Sequence, residues 1–216
     1  MNGGAHTLAG VATGIGISYF GDLSFSEGAI VTTVTTVAAL APDLDTTGTL
    51  AMRLTKPFRI ITGILFSILF SIFITLFFQS KNPLNFVDID KEILIGAGGV
   101  LLALFLIRRI PIKIQLLIMA VGIGLVGYHF DYESIIWFAV FAGISVFLPH
   151  RSYTHSVLGL VFFGYISHLA SIDLGLPLVF WGGVLGYISH LLLDCRFIPG
   201  NRMGIKPLLP LPKPVI

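Results

Sequence analysis

Eight apolar runs separated by short polar knots constrain this chain more than any other feature: residues 7–20, 28–41, 60–78, 93–107, 114–128, 135–148, 156–170 and 176–193. The clearest, Ile60 to Phe78, is an unbroken stretch rich in Ile, Leu and Phe, close to the roughly 20 residues one helix needs to span hydrocarbon. A soluble core of 216 residues cannot hide a sequence that is 55% hydrophobic and only 11% charged, and a mean hydropathy of +0.93 agrees. In lipid the backbone must satisfy its own hydrogen bonds, so the runs are expected to be helices. The expected fold is all-α: a polytopic membrane bundle of about eight segments, one domain over residues 1–216, multi-pass in the cell (inner or plasma) membrane. Runs 7–20 and 28–41 are shorter than a full span and are expected to pack as short helices inside the bundle, where small residues let backbones approach.

The basic residues give an orientation. Arg53, Lys56, Arg59, Arg108, Arg109, Lys113, Arg151, Arg196, Arg202, Lys206 and Lys213 fall on one side, and only Lys81 and Lys91 on the other. An excess of Lys and Arg marks the cytoplasmic face. Residues 195–216 then form a Pro-rich basic cytoplasmic tail, its prolines too frequent for a helix. Four basic residues and the single aromatic Phe197 give that tail no specific nucleic-acid partner. The N-terminus, Met1 to His6, lacks the basic leader of a secretory signal and is expected to be retained. The one cysteine, Cys195, excludes an internal disulfide and a Cys-rich metal site.

The knots carry the chemistry. If the short N-terminal runs also cross, then His6, Asp43, Asp45, His150, His155, His190 and Asp194 all stand at cytoplasmic helix ends. His190 and Asp194, four apart on one helix face, are either two ligands for one cation or a hydrogen-bonded pair at a helix end. His150 and His155 could both turn into one site or contact two adjacent ions, or touch lipid headgroups instead. Arg151 between them cannot ligate a metal, but its planar fork suits a phosphate. Thr154 and Ser156 are hydrogen-bond donors or caps for the following helix. Asp43 and Asp45 repel each other unless a cation or proton intervenes, or each serves a turn. Asp131 and Glu133 fall in a loop on the far face and are set aside. Gly164-Tyr165-Ile166-Ser167-His168-Leu169 repeats as Gly186-Tyr187-Ile188-Ser189-His190-Leu191, but Ile172 stands where the second copy has Asp194, so His168 is expected to be a packing residue.

Nitrogen and oxygen donors without thiolate favour zinc, with manganese or iron as alternatives, and more than four candidates point to one or two ions. Such ions could clamp a phosphoryl group and supply hydroxide at neutral pH, with Arg151 on the phosphate and Asp43 or Asp45 as general base. Short helices would leave the site at headgroup depth, so membrane lipids are expected partners and a phosphorylated lipid or small phosphoester the substrate. A divalent-cation or proton carrier is the alternative, its ligands then expected nearer mid-membrane. A third reading, a structural subunit that only binds lipid phosphates, leaves three aspartates unexplained.

His6, Pro42-Asp43-Leu44-Asp45, His150-Arg151-Ser152-Tyr153-Thr154-His155-Ser156, Gly186, Ser189-His190-Leu191-Leu192-Leu193-Asp194, Gly204 and Pro207-Leu208-Leu209-Pro210 occur in that order along the whole chain. In this set the sequence resembles the YdjM-like membrane-bound metal-dependent hydrolases. That family is distantly similar to the zinc-dependent phospholipase C and P1 nuclease group, the shared element here being His190-x-x-x-Asp194. The resemblance implies hydrolysis of a phosphoester. The further downstream histidines and glutamate of those soluble enzymes are absent, so a three-zinc cluster is not implied.

Overall fold

The computed structural model describes residues 3–45, 55–56, 60, 110–149, 151–197, 204–205 and 207–209. Among them the chain is all-helical, with six α-helices and no strand: α1 Gly3–Phe20, α2 Phe25–Ala38, α3 Ile112–His129, α4 Glu133–Ser145, α5 Val157–Asp173 and α6 Leu178–Leu193, plus 3₁₀ turns at Ala41–Asp45 and Tyr153–His155. Six of the eight expected runs thus correspond to these helices. Runs 60–78, beyond Ile60, and 93–107 lie outside the described residues, as do His150 and the side chain of Asp45. Of the described helices, α3 alone is both long and apolar enough to cross a membrane by itself.

Two compact units divide the chain, one of Met1–Met52 with Leu116–Ile216, the other Arg53–Gln115. In the smaller unit Gln115 is buried and its Nε2 donates to the Ile110 carbonyl at 2.6 Å. The larger unit holds every residue discussed below.

Local sequence fixes the helix ends. α1 stops where Asp22 turns into the left-handed region (φ 49°), and Leu23 N–H closes back on the Ser18 carbonyl at 3.1 Å. Ser24 and Glu27 form a reciprocal capping box that starts α2. Within α2 the Thr33, Thr35 and Thr36 hydroxyls donate to carbonyls one turn back at 2.7–2.8 Å, which removes their donors from apolar surroundings. Proline at 42 ends regular helix there. At the far end of the bundle, Asp173 at the close of α5 accepts the Ser134 N–H of α4 at 2.9 Å.

Close packing of α2 positions the site. A Cβ at Gly14 of α1 would lie 2.6 Å from Thr32 Cα. One at Gly186 of α6 would overlap the Thr35 carbonyl oxygen and stand 3.0 Å from Ala38 Cβ. Both crossings need the missing side chain, so α2 packs on both α1 and α6 at near backbone contact. Val31 and Val179, both fully buried, seal the α2–α6 interface with Leu176 and Ile17 around them. Beyond α6, Phe141, Phe163 and Tyr187 pack edge to face or tilted and tie α4, α5 and α6 together.

Candidate metal centre

Four helix ends meet at one place. His6 lies in the first turns of α1, and Asp43 lies in the 3₁₀ turn after α2. His155 immediately precedes α5, His190 occupies the last turn of α6, and Asp194 caps that helix. Their side chains are buried to within 3% exposure except Asp43, at 15%. The structure therefore brings together five of the seven ligands expected from sequence.

The atoms converge. His155 Nε2 and His190 Nε2 are 3.2 Å apart. From His155 Nε2 it is 3.5 Å to Asp43 Oδ1 and 3.6 Å to Asp194 Oδ2. From His190 Nε2 the same oxygens lie at 3.8 and 3.6 Å. His6 Nε2 is 3.4 Å from the other Asp194 oxygen, Oδ1, and its ring stacks on His190 at 3.9 Å between centroids. These spacings resemble the edge of a zinc tetrahedron, about 3.3 Å for ligands some 2.0 Å from the ion. Two groups, His6–His190–Asp194 and Asp43–His155–His190, could each hold a metal ion, and they share His190.

Proton bookkeeping favours a cation here. His190 Nδ1 is 2.8 Å from the Ala39 carbonyl, which can only accept, so that nitrogen carries the proton. The neutral ring then offers a bare lone pair at Nε2, facing two carboxylate oxygens and a second imidazole. A backbone carbonyl on the outer nitrogen is the usual support for a metal-bound histidine. His6 Nδ1 is buried with no hydrogen-bond partner among the described residues, a vacancy that polar groups in folded proteins seldom leave.

Burial pushes the carboxyl of Asp194 up, but the imidazoles of His155, His190 and His6 around it outweigh that and hold the group well below the usual carboxylate range. Asp43 is pushed up by burial and brought down further by the imidazoles of His155, His190 and His6 beside it. Both stay ionised. Cys195 is in neither group: burial, then the Asp194 charge, push its thiol up, and Sγ donates to the Leu191 carbonyl at 3.2 Å.

Arg151 takes a left-handed backbone (φ 58°), uncommon for a non-glycine residue. Its Nη2 lies 3.7 Å from Asp194 Oδ2 and its Nη1 donates to the Gly204 carbonyl at 3.4 Å, with the side chain 17% exposed. Where described, the expected tail folds back on the knot: Ile205 is buried, and the Pro207 carbonyl accepts the Val157 N–H at 2.8 Å. That contact starts α5. The Ser156 hydroxyl, expected as a candidate cap, donates instead to the Tyr153 carbonyl at 2.6 Å.

His168 stays away from the cluster. It is exposed, not packed inside as expected, with its ring edge-on to Phe180 at 6.3 Å. The sequence reading missed the Ala39 carbonyl, which no side-chain pattern signals. It also missed Tyr187, whose hydroxyl donates to the Thr154 carbonyl; its place one turn before His190 was the available signal. No protein-family model, curated protein or solved structure matches the chain.

Proposed function

We propose that the chain is a membrane-embedded metal-dependent hydrolase of phosphoesters, of the kind the YdjM-like resemblance implies, with zinc, or else manganese or iron, at this centre. The observation that carries the reading is the convergence of His155 Nε2, His190 Nε2, Asp43 Oδ1 and Asp194 Oδ2 within 3.2–3.8 Å. His6, Asp43, His155, His190 and Asp194 would hold the ion or ions, with Asp45 and His150 as further candidates. A bound ion would lower the pKa of water toward neutrality and offset phosphoryl charge.

The chain's own groups suggest which side the substrate takes. Asp43 and Arg151 are the two partly exposed members of the centre. Asp43 would orient and deprotonate the attacking water, and Arg151 would hold the phosphate by its fork. Exposed apolar side chains along α3, among them Val121, Leu125 and Val126, support a lipid-facing surface. The Lys and Arg distribution supports a cytoplasmic site, and that depth favours a phosphorylated lipid over a distant soluble substrate. A carrier would need the ligands reachable from both sides, whereas His6, His155, His190 and Asp194 are buried to within 3% exposure.

Purified protein in detergent is expected to carry about one or two zinc-group ions per chain by mass spectrometry of metals, and His190→Ala to lose most of them. Hydrolysis of a chromogenic phosphoester and of phosphatidate vesicles should stop on chelation and return with metal. Equal metal content in wild type and variant, or activity indifferent to chelation, would remove the reading.

A further inference from the structure

The orientation of the three imidazole rings divides the centre. A ring nitrogen offers its lone pair in the plane of the ring, so two histidines share an ion only where their planes cross about 2.0 Å from each nitrogen. His155 and His190 are placed for this, with planes 67° apart and Nε2 atoms 3.2 Å from each other. His6 and His190 are not. Their rings are stacked, 3.9 Å between centroids and 18° apart. Planes at that spacing and tilt meet on the order of 10 Å away, several times the length of a zinc–nitrogen bond. An ion in the plane of His190 is therefore out of the plane of His6. Spacing alone lets His190 serve either three-residue group, but its one inward nitrogen, Nε2, can fill only one, because Nδ1 is held by the Ala39 carbonyl. Ring orientation assigns it to the group of Asp43 and His155.

Asp194 faces both sides. Its Oδ2 lies 3.6 Å from each of His155 Nε2 and His190 Nε2, and its Oδ1 lies 3.4 Å from His6 Nε2. A carboxylate that turns one oxygen each way suits two ions about 3.5–4 Å apart, the spacing of two-metal sites. The two positions are unequal in donors. The first has His155 and His190, with Asp43 Oδ1 at 3.5 and 3.8 Å from their nitrogens, and Asp194 Oδ2; the second has His6 and Asp194 Oδ1. The outer nitrogens differ in the same direction. His190 Nδ1 rests on the Ala39 carbonyl at 2.8 Å and His155 Nδ1 on the Thr154 hydroxyl at 3.1 Å, whereas His6 Nδ1 is buried without a hydrogen-bond partner among the described residues. Outer partners of that kind strengthen metal affinity about 10–100-fold.

We propose that the centre takes two non-equivalent divalent cations bridged by Asp194: a tightly held ion on Asp43, His155 and His190, and a weaker, exchangeable ion on His6 and Asp194 Oδ1. The first ion has its four donors from the protein. The second has two, which leaves positions for water or a phosphate oxygen, as an open site requires. The division rests on the metal reading above but fails independently of it.

Zinc alone is titrated into the metal-stripped full chain in detergent against a competing chromophoric chelator, for wild type, His6→Ala and His155→Ala. Wild type is expected to take up two ions with affinities at least about tenfold apart. His6→Ala should lose the weaker ion and keep the tighter within a few-fold, whereas His155→Ala should weaken the tighter by more than about tenfold. Manganese alone, loaded at two equivalents, should give the paramagnetic-resonance spectrum of a coupled pair in wild type and of isolated ions in His6→Ala, a signature that packing of the His6 ring does not set. One ion in wild type, or two ions that His6→Ala leaves untouched or weakens together, overturns the division and leaves the metal reading standing. An uncoupled manganese spectrum in wild type overturns it too, even if His6→Ala fails to fold. Absence of metal binding by wild type ends both.

Discussion

Alanine at Gly186 and at Gly164, equivalent places in the repeated Gly-Tyr-Ile-Ser-His-Leu, should give opposite results. At Gly186 the new methyl would overlap the Thr35 carbonyl oxygen, stand 3.0 Å from Ala38 Cβ and 3.1 Å from the Thr35 carbonyl carbon, so α6 and α2 must part. Relief takes about 1 Å, and forced separation of this kind costs about 1–3 kcal/mol. Part of the intrinsic helix gain of alanine over glycine, about 1 kcal/mol, offsets it. The larger effect is on the site: α2 supplies the Ala39 carbonyl to His190 at 2.8 Å, and a further ~1 Å takes that contact beyond hydrogen-bond range. At Gly164 the nearest atom to a new Cβ is Val184 Cγ2 at 3.7 Å, ordinary contact, so Gly164→Ala should be neutral or stabilising by up to ~1 kcal/mol. The assay pairs thermal unfolding in detergent with zinc titration. Gly186→Ala is expected to unfold earlier and bind zinc at least tenfold more weakly, with Gly164→Ala unchanged in both. Wild-type behaviour of Gly186→Ala would refute the claim that the α2–α6 approach sets the position of His190.

Tyr187→Phe removes the hydrogen bond to the Thr154 carbonyl and should cost about 1 kcal/mol of stability by denaturant or heat. Acid stability of the metal-stripped protein should depend on Asp194. Its folded pKa lies below the unfolded value, so its contribution is complete above about pH 4 and is lost as pH falls through the lower folded value. Unfolding followed from pH 7 downward is therefore expected to show a steeper acid limb in wild type than in Asp194→Asn, and equal slopes would count against the ion-pair geometry.

Helix existence was legible from the apolar runs because hydrophobicity alone forces it, whereas the ends were set by particular groups. The sequence run ending at Leu148 stops as helix at Ser145, while the run starting at Thr7 is already helical from Gly3. Asp194 could be paired with His190 by spacing, since four residues is one helical turn. His6 was the weakest ligand taken singly; only the crossing of α1 over α2, permitted by Gly10 and Gly14, brings its ring onto His190. The repeated hexapeptide shows the same limit. Tyr187 is fully buried and Tyr165 is 44% exposed, because a helix between α2 and α5 buries that face and a helix nearer the edge does not.

The placement of the carboxylates argues that this centre exists for something other than stability. Asp194 caps the C-terminus of α6, and Asp43 follows that of α2. The dipole of each helix presents negative charge there and disfavours an anion. Burial adds to the penalty, and apolar residues of similar volume would pack such a junction at lower free energy. The three imidazoles compensate only in part, because His190 has committed its Nδ1 proton to Ala39 and turns a lone pair toward the same two oxygens. A divalent cation would satisfy the bare His190 nitrogen, both carboxylates and both helix ends at once. The same reasoning predicts a large stabilisation of the folded state by metal, growing with free-metal concentration as binding to the native form alone requires.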